Sequence, residues 1–179
     1  MHRIESETFY LRVLTEADIT DEYIGWINDP ATNRFLESRH EYQTEALCRS
    51  HIRKSAKNGD VFWGIFDNKS HKHIGNIKLS NINVRYRRAV LSLVVGKSQF
   101  RGVGLGTTAI GLVTEFGFKK LGLHKIEAGV YETNTPSLRA FRKNDYNICG
   151  FFPDHAEDHE NRMIGSFWLC RLNQKISTP

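Results

Sequence analysis

The stretch QFRGVGLGTTA, residues 99–109, sets Gly102, Gly104 and Gly106 behind Arg101, between the apolar run RAVLSLVVG (88–96) and an amphipathic segment reaching Leu121. Within that segment Leu105, Ala109, Leu112, Val113 and Phe116 share one face, the pattern of a helix laid on a sheet. Backbone N–H groups at a helix N-terminus lack intrahelical partners and sit at the positive end of the helix dipole. Glycines there let a phosphate approach closely. Arg101 adds a charge-assisted donor, so the loop reads as an anion cradle whose surroundings decide the anion.

Upstream, TFYLRVLT (8–15) alternates as a strand, and EADITDEYIGWIND (16–29) has helical spacing up to Pro30. A second helix is expected from a Thr44 cap through residues 45–59, stopping at Gly59. VFWGIFD (61–67), HIGNIKLSNIN (73–83) and RAVLSLVVG follow as strands, joined by the turns NKSHK and VRYR. Beyond the glycine loop and its helix, which Gly122 ends, KIEAGVY (125–131) reads as a strand. TPSLRAFRKN (135–144) reads as a short helix with Thr135 as cap and Pro136 first, and strands near NICGFF (147–152) and MIGSFWLCRL (163–172) finish the chain. The expected fold is α/β (α+β): a single domain over 1–179, with a mixed sheet of about seven strands and about four helices on its faces.

Composition narrows the class. The 179 residues suffice for a core that needs neither disulfides nor a structural metal. No apolar run approaches the roughly 18 residues of a membrane span, and MHRIESETFY lacks the apolar segment of a signal peptide, so a cytoplasmic location is expected. Cys48, Cys149 and Cys170, odd in number and far apart, read as reduced core thiols. The net charge of +5 favours anionic partners without choosing among them.

A P-loop needs lysine and then serine or threonine after its last glycine, where this chain has Thr107 and Thr108. A dinucleotide-binding fold is the stronger rival, since Gly104, Gly106 and Ala109 match G-x-G-x-x-A and Glu132 ends the next strand. There, however, the glycines follow the strand directly, whereas KSQFR intervenes here and three strands precede the motif without alternating helices. The spacing R-x-x-G-x-G of Arg101, Gly104 and Gly106, followed by a helix, resembles the coenzyme A pyrophosphate loop of the GNAT superfamily of N-acetyltransferases. LGLHKIEAGVYETNTPSLRAFRKNDY (121–146) is similar to that superfamily's next segment: a strand, an asparagine, a serine three residues on, then a lysine near a glycine-aromatic pair. YIGWINDPATNRFLESR (23–39) and HIGNIKLSNIN resemble the branch that holds ribosomal-protein and amino-sugar N-acetyltransferases, the amino-sugar group most. Two positions depart from the family pattern: Asp145 replaces the glycine before the aromatic, and Phe141 replaces the tyrosine many members use as general acid.

The resemblance implies acetyl-CoA as co-substrate, no metal, and a primary amine as acceptor, with a nucleotide-linked amino sugar preferred. Protein N-termini, and a catalytically silent acyl-CoA-binding module, are the rival readings. It implies that Leu93, Val94 and Val95 pair with the pantetheine arm, and that Arg101, Gly102, Val103, Gly104, Leu105, Gly106 and Thr107 hold the pyrophosphate. Asn134 would hold pantetheine, Lys143 would meet the adenosine phosphate, and Ser137 would lie near the sulfur, with Tyr131 and Tyr146 as alternative acids. The strand before the loop carries no carboxylate, so a base must come from elsewhere or from water. Glu37, His40, Glu132 and His155 are candidates, and Glu37 ranks first because FLESRH (35–40) falls in the region that lines the acceptor site in the resembled family. DHAEDHE (154–160) has metal-ligand chemistry but reads better as a polar loop between the final strands, and VRYRR (84–88) better as a hairpin turn than as a nucleotide or RNA contact. No nucleic-acid or membrane partner is expected, and self-association into a homodimer is left open.

Overall fold

The structure, a computed structural model, describes residues 3–174. Eight strands form one mixed sheet: β1 (Ile4–Glu5), β2 (Phe9–Val13), β3 (Val61–Asp67), β4 (His73–Asn83), β5 (Arg88–Val95), β6 (Lys125–Tyr131), β7 (Asn147–Glu157) and β8 (Met163–Leu172). Their spatial order is β1-β2-β3-β4-β5-β6-β8-β7. Neighbours are antiparallel except β5 and β6. The strand beyond those expected is β1, two residues long and therefore too short to show alternation.

Five helices cover the sheet: α1 (Asp21–Asn28), α2 (Pro30–Asn33), α3 (Glu45–Lys57), α4 (Leu105–Lys120) and α5 (Thr135–Arg142). The helix expected across 16–29 begins later because Asp18 is spent locally, accepting from the Thr15 backbone N–H and hydroxyl and from Arg12. At the other end Asp29 is extended (φ −65°, ψ 121°) and its carboxylate caps α2, accepting from the Ala31 N–H at 3.2 Å and the Thr32 hydroxyl at 2.8 Å. Pro30 thus starts a new turn at the position where its missing N–H costs nothing.

Tyr23, Trp26 and Ile27 of α1 and Cys48 and Ile52 of α3 bury one face of the sheet with Tyr10 and Phe66. Leu105, Ala109, Ile110 and Val113 of α4, with Phe141 of α5, bury the other against Trp63, Ile65, Ile77 and Leu91. On α4 the sequence face is rotated slightly: Ile110 is fully buried while Leu112 and Phe116 flank the core.

Two expectations about the last hairpin are corrected. Asp154–Glu157 belong to β7, paired through Ala156↔Ile164 and Glu157↔Met163, and the connection is Asp158–Arg162. The Asp158 carboxylate is occupied there by the Glu160 and Arg162 N–H groups and the Arg162 guanidinium. Among the described residues no group of three or more His, Cys, Asp or Glu is placed to hold a metal. Cys48 is a core thiol, but Cys149 is exposed on β7 and Cys170 half-buried on β8, because β7 is the sheet edge and irregular at Ile148/Gly150. No described helix is long and apolar enough to cross a membrane.

Candidate active site

β5 and β6 pair over only Arg88↔Lys125, Ala89↔Ile126 and Val90↔Glu127. β6 is paired along its full length with β8, and β5 with β4 at every residue but Ala89, so beyond Val90 a wedge opens between β5 and β6. The β4–β5 register runs unbroken from Ser80↔Val90 to Gly75↔Val95, and the Gly96 N–H bonds to the Ile74 C=O at 2.9 Å. That bond sets the parity: Ser92 and Val94 address β4 with their backbone, whereas Leu93 and Val95 turn theirs into the wedge. Of the three residues expected to offer backbone, Val94 instead contributes its side chain to the face covered by α1 and α3.

The glycine loop fills the end of the wedge. Gly102 (φ +75°) and Gly104 (φ +88°) lie in the left-handed region, with open space where a Cβ would stand. Gly106 serves packing, since a Cβ there would come 3.1 Å from Leu93 Cδ2. Gly104 is the N-cap of α4 and supplies no side-chain cap; the Thr108 N–H bonds to its C=O, which leaves the N–H groups of Leu105, Gly106 and Thr107 as the uncapped start of a 16-residue helix. Val103 stands exposed between the two left-handed glycines.

Arg101 is engaged differently from the expectation. Its Nε donates to Val95 C=O at 3.1 Å, Nη1 to Ala31 C=O at 3.0 Å, and Nη2 to Gly96 C=O at 2.8 Å and to the Thr32 hydroxyl at 2.5 Å. Four of its five N–H donors therefore fasten the end of β5 and the α2 turn to the root of the loop.

On the other side of the wedge Asn134, not Thr135, caps α5: its Oδ1 accepts from the Ser137 N–H at 3.3 Å, and Pro136 is the second helical residue. The Ser137 hydroxyl is half-buried and makes no hydrogen bond among the described residues. Lys143 is exposed at the end of α5, next to Asn144, whose Nδ2 donates to the Thr107 C=O at 2.9 Å and ties the end of α5 to the first turn of α4. No sequence signal marked Asn144.

A cavity of about 420 Å³ opens on the α1/α3 face of β5, lined by Ser92, Leu93 and Val94 together with Tyr23, Phe62 and Asn76. Glu37 stands at its rim, exposed, with Arg39 at 3.8 Å. The buried Arg39 donates to Leu36 C=O at 2.8 Å, to Tyr131 Oη at 3.4 Å and to Glu157 C=O, which ties the Glu37 turn to the ends of β6 and β7. The other base candidates lie outside this lining. His40 is exposed, Glu132 is bonded to the Gly165 N–H at 2.6 Å, and His155 rests on the exposed Phe152 ring.

Two lining residues were not expected. Lys78 Nζ lies 3.2 Å from His51 Nε2 and 4.0 Å from Asp60. Burial, then the Lys78 cation, pushes the His51 pKa down, and burial lowers that of Lys78 against the pull of Asp60. Only Lys78 left a trace in the sequence, as one of the alternating polar residues Asn76, Lys78 and Ser80 of β4.

Residues 8–147 match the acetyltransferase (GNAT) domain family. The chain belongs to the GNAT acetyltransferase family. Among curated proteins it is 32% identical over 176 residues to the probable N-acetyltransferase YjcK of Bacillus subtilis, covering 88% of this chain and 93% of that one. Among solved structures it resembles the ribosomal-protein-S5-alanine acetyltransferase of Vibrio fischeri (TM-score 0.82, 16% identity, 99% of this chain and 100% of that one). It also resembles the spermidine N-acetyltransferase of Vibrio cholerae in complex with CoA and spermine (TM-score 0.83, 19% identity, 95% and 98%). It is thus an acetyl-CoA-dependent N-acetyltransferase with the single mixed sheet of that fold. In this acetyltransferase Phe141 is a core residue, its ring 5.0 Å from that of Tyr146. Tyr146, considered as an acid in its place, is itself buried, bonded to the Thr114 hydroxyl at 2.8 Å, and its pKa is driven strongly upward by burial. It therefore cannot serve the wedge; Tyr131, at the end of β6, is the tyrosine near it.

Proposed function

We propose that the wedge takes acetyl-CoA, that the cavity takes a small primary amine of neutral or anionic character, and that a nucleotide-linked amino sugar is the acceptor. In this reading the amides of Gly102, Val103, Gly104, Leu105, Gly106 and Thr107 hold the pyrophosphate. Leu93 and Val95 pair with the pantetheine arm, Asn134 offers its Nδ2 to the same arm, and Lys143 meets the adenosine phosphate. Ser137, its hydroxyl free, stands toward the sulfur, and Glu37 meets the acceptor at the rim.

The observation that carries the acceptor class is the charge of the cavity: its basic groups are the half-buried Lys78 and the exposed His51, and its single lining carboxylate, Glu37, is exposed and paired with Arg39. A polycationic amine would need the opposite sign there. The β4–β5 hairpin that forms the cavity floor ends in Tyr86, exposed, with the Arg85 and Arg88 guanidinium groups 5.7 and 5.8 Å from its ring. An aromatic ring between arginines suits a nucleotide base and its phosphates.

Thiol release from acetyl-CoA, measured against UDP-glucosamine, spermidine and a peptide with a free N-terminal alanine, tests this. Preference for UDP-glucosamine by about tenfold or more in kcat/KM is expected. Preference for spermidine or the peptide overturns the acceptor class, and cofactor binding without thiol release from any amine supports the silent module.

A further inference from the structure

We propose that His51 is the general base that accepts the proton of the acceptor ammonium, and that Lys78 holds its imidazole in the neutral form. The inference rests on the acetyl-transfer reading and adds a residue that the β5 strand, which carries no carboxylate, does not supply.

Lys78 is the register partner of Ser92, so its side chain stands on the α1/α3 face, one residue from the Leu93 backbone that addresses the wedge. His51 reaches the same point from α3, its ring edge-on to Phe62 at 5.5 Å. An ammonium has only donors, so against Lys78 the His51 Nε2 is an acceptor, and the neutral imidazole carries its proton on Nδ1. That lone pair, held by Lys78 in the free protein, lies in the cavity lining beside the strand that would hold the thioester. The charged groups around it are Lys78 from β4, Asp60 from the turn before β3, Lys54 from α3 itself and Glu37 at the rim. Lys78 and Lys54 oppose protonation and Asp60 favours it, with the lowering effects prevailing.

In the reaction the acceptor ammonium displaces Lys78 from Nε2, and Lys78 falls back on Asp60. Nε2 takes one proton, and the freed amine lone pair forms the C–N bond at the thioester carbonyl. The C–S bond then breaks with its electron pair on sulfur, the second nitrogen proton reaches that sulfur, and His51 returns the first to solvent. The products are the amide, free thiol and one proton.

The test measures kcat/KM from mildly acidic to mildly alkaline pH for the wild-type protein and for His51→Gln and Lys78→Met, with acetyl-CoA and UDP-glucosamine. If the acceptor panel selects spermidine or the peptide, that amine replaces it, so failure of the acceptor class leaves His51 testable. If no amine is acetylated, the base assignment falls with the reading it rests on. His51→Gln is expected to lose about 100-fold or more and to lose the acidic limb of the profile, with acetyl-CoA binding unchanged. Lys78→Met is expected to keep the limb but move it to higher pH, since removing the cation raises the imidazole pKa. NMR titration of the His51 ring in both folded proteins reads the same shift without turnover. The proposal is overturned if His51→Gln stays within a few fold of wild type with its acidic limb intact. It is equally overturned if the limb disappears in Lys78→Met alone, which would make Lys78 the base, or if the His51 titration is the same with and without Lys78.

Discussion

Gly104 shows how one residue serves two ends. Its φ of +88° turns the chain into α4, and the absence of a side chain leaves the first amides of the helix uncovered. Gly104→Val places a β-branched residue in the left-handed region at a cost of about 1–2 kcal/mol and raises a side chain into open space at the cradle. Calorimetry should show coenzyme A affinity reduced by about tenfold or more with the fold retained; unchanged affinity would remove the loop from the donor site. The loop was legible in the sequence because its glycines fall at alternate positions within five residues of one another. His51 was not, because a histidine on an amphipathic helix has no local sign of the strand lysine it will meet 27 positions later.

At the scale of elements, the arginine that led the motif is a clamp. Arg101 joins β5, α2 and the loop root through four hydrogen bonds, so its replacement should first be felt as lost stability. Arg101→Met is expected to lower the unfolding free energy by about 2 kcal/mol, seen as a reduced Tm, with a smaller loss of coenzyme A affinity than in Gly104→Val. A large affinity loss at unchanged Tm would return the guanidinium to the pyrophosphate. Most elements were legible from periodicity and caps: α3 from Thr44, the end of α4 from Gly122, and the strands β3 to β6 from apolar segments bounded by turn signals. The far half of β7 was not, since an edge strand exposed on both sides has no apolar period to display. The cap of α5 was misplaced by one residue because asparagine and threonine both suit that position and only the fold decides between them.

At the scale of the molecule, strand order was inferred only as a mixed sheet, because the pairing of β6 with β5 and β8 depends on crossovers that local sequence does not encode. The seam between β5 and β6, three residue pairs long, has a consequence for amide hydrogen exchange. Ser92 and Val94 donate to β4 and should exchange slowly in the free protein, while Leu93, lying between them, faces the wedge and should exchange quickly. Coenzyme A bound along β5 should slow Leu93 selectively, turning an alternation of fast and slow amides into a uniformly protected run. A Leu93 amide that exchanges equally fast with and without the cofactor would show that the arm does not lie there.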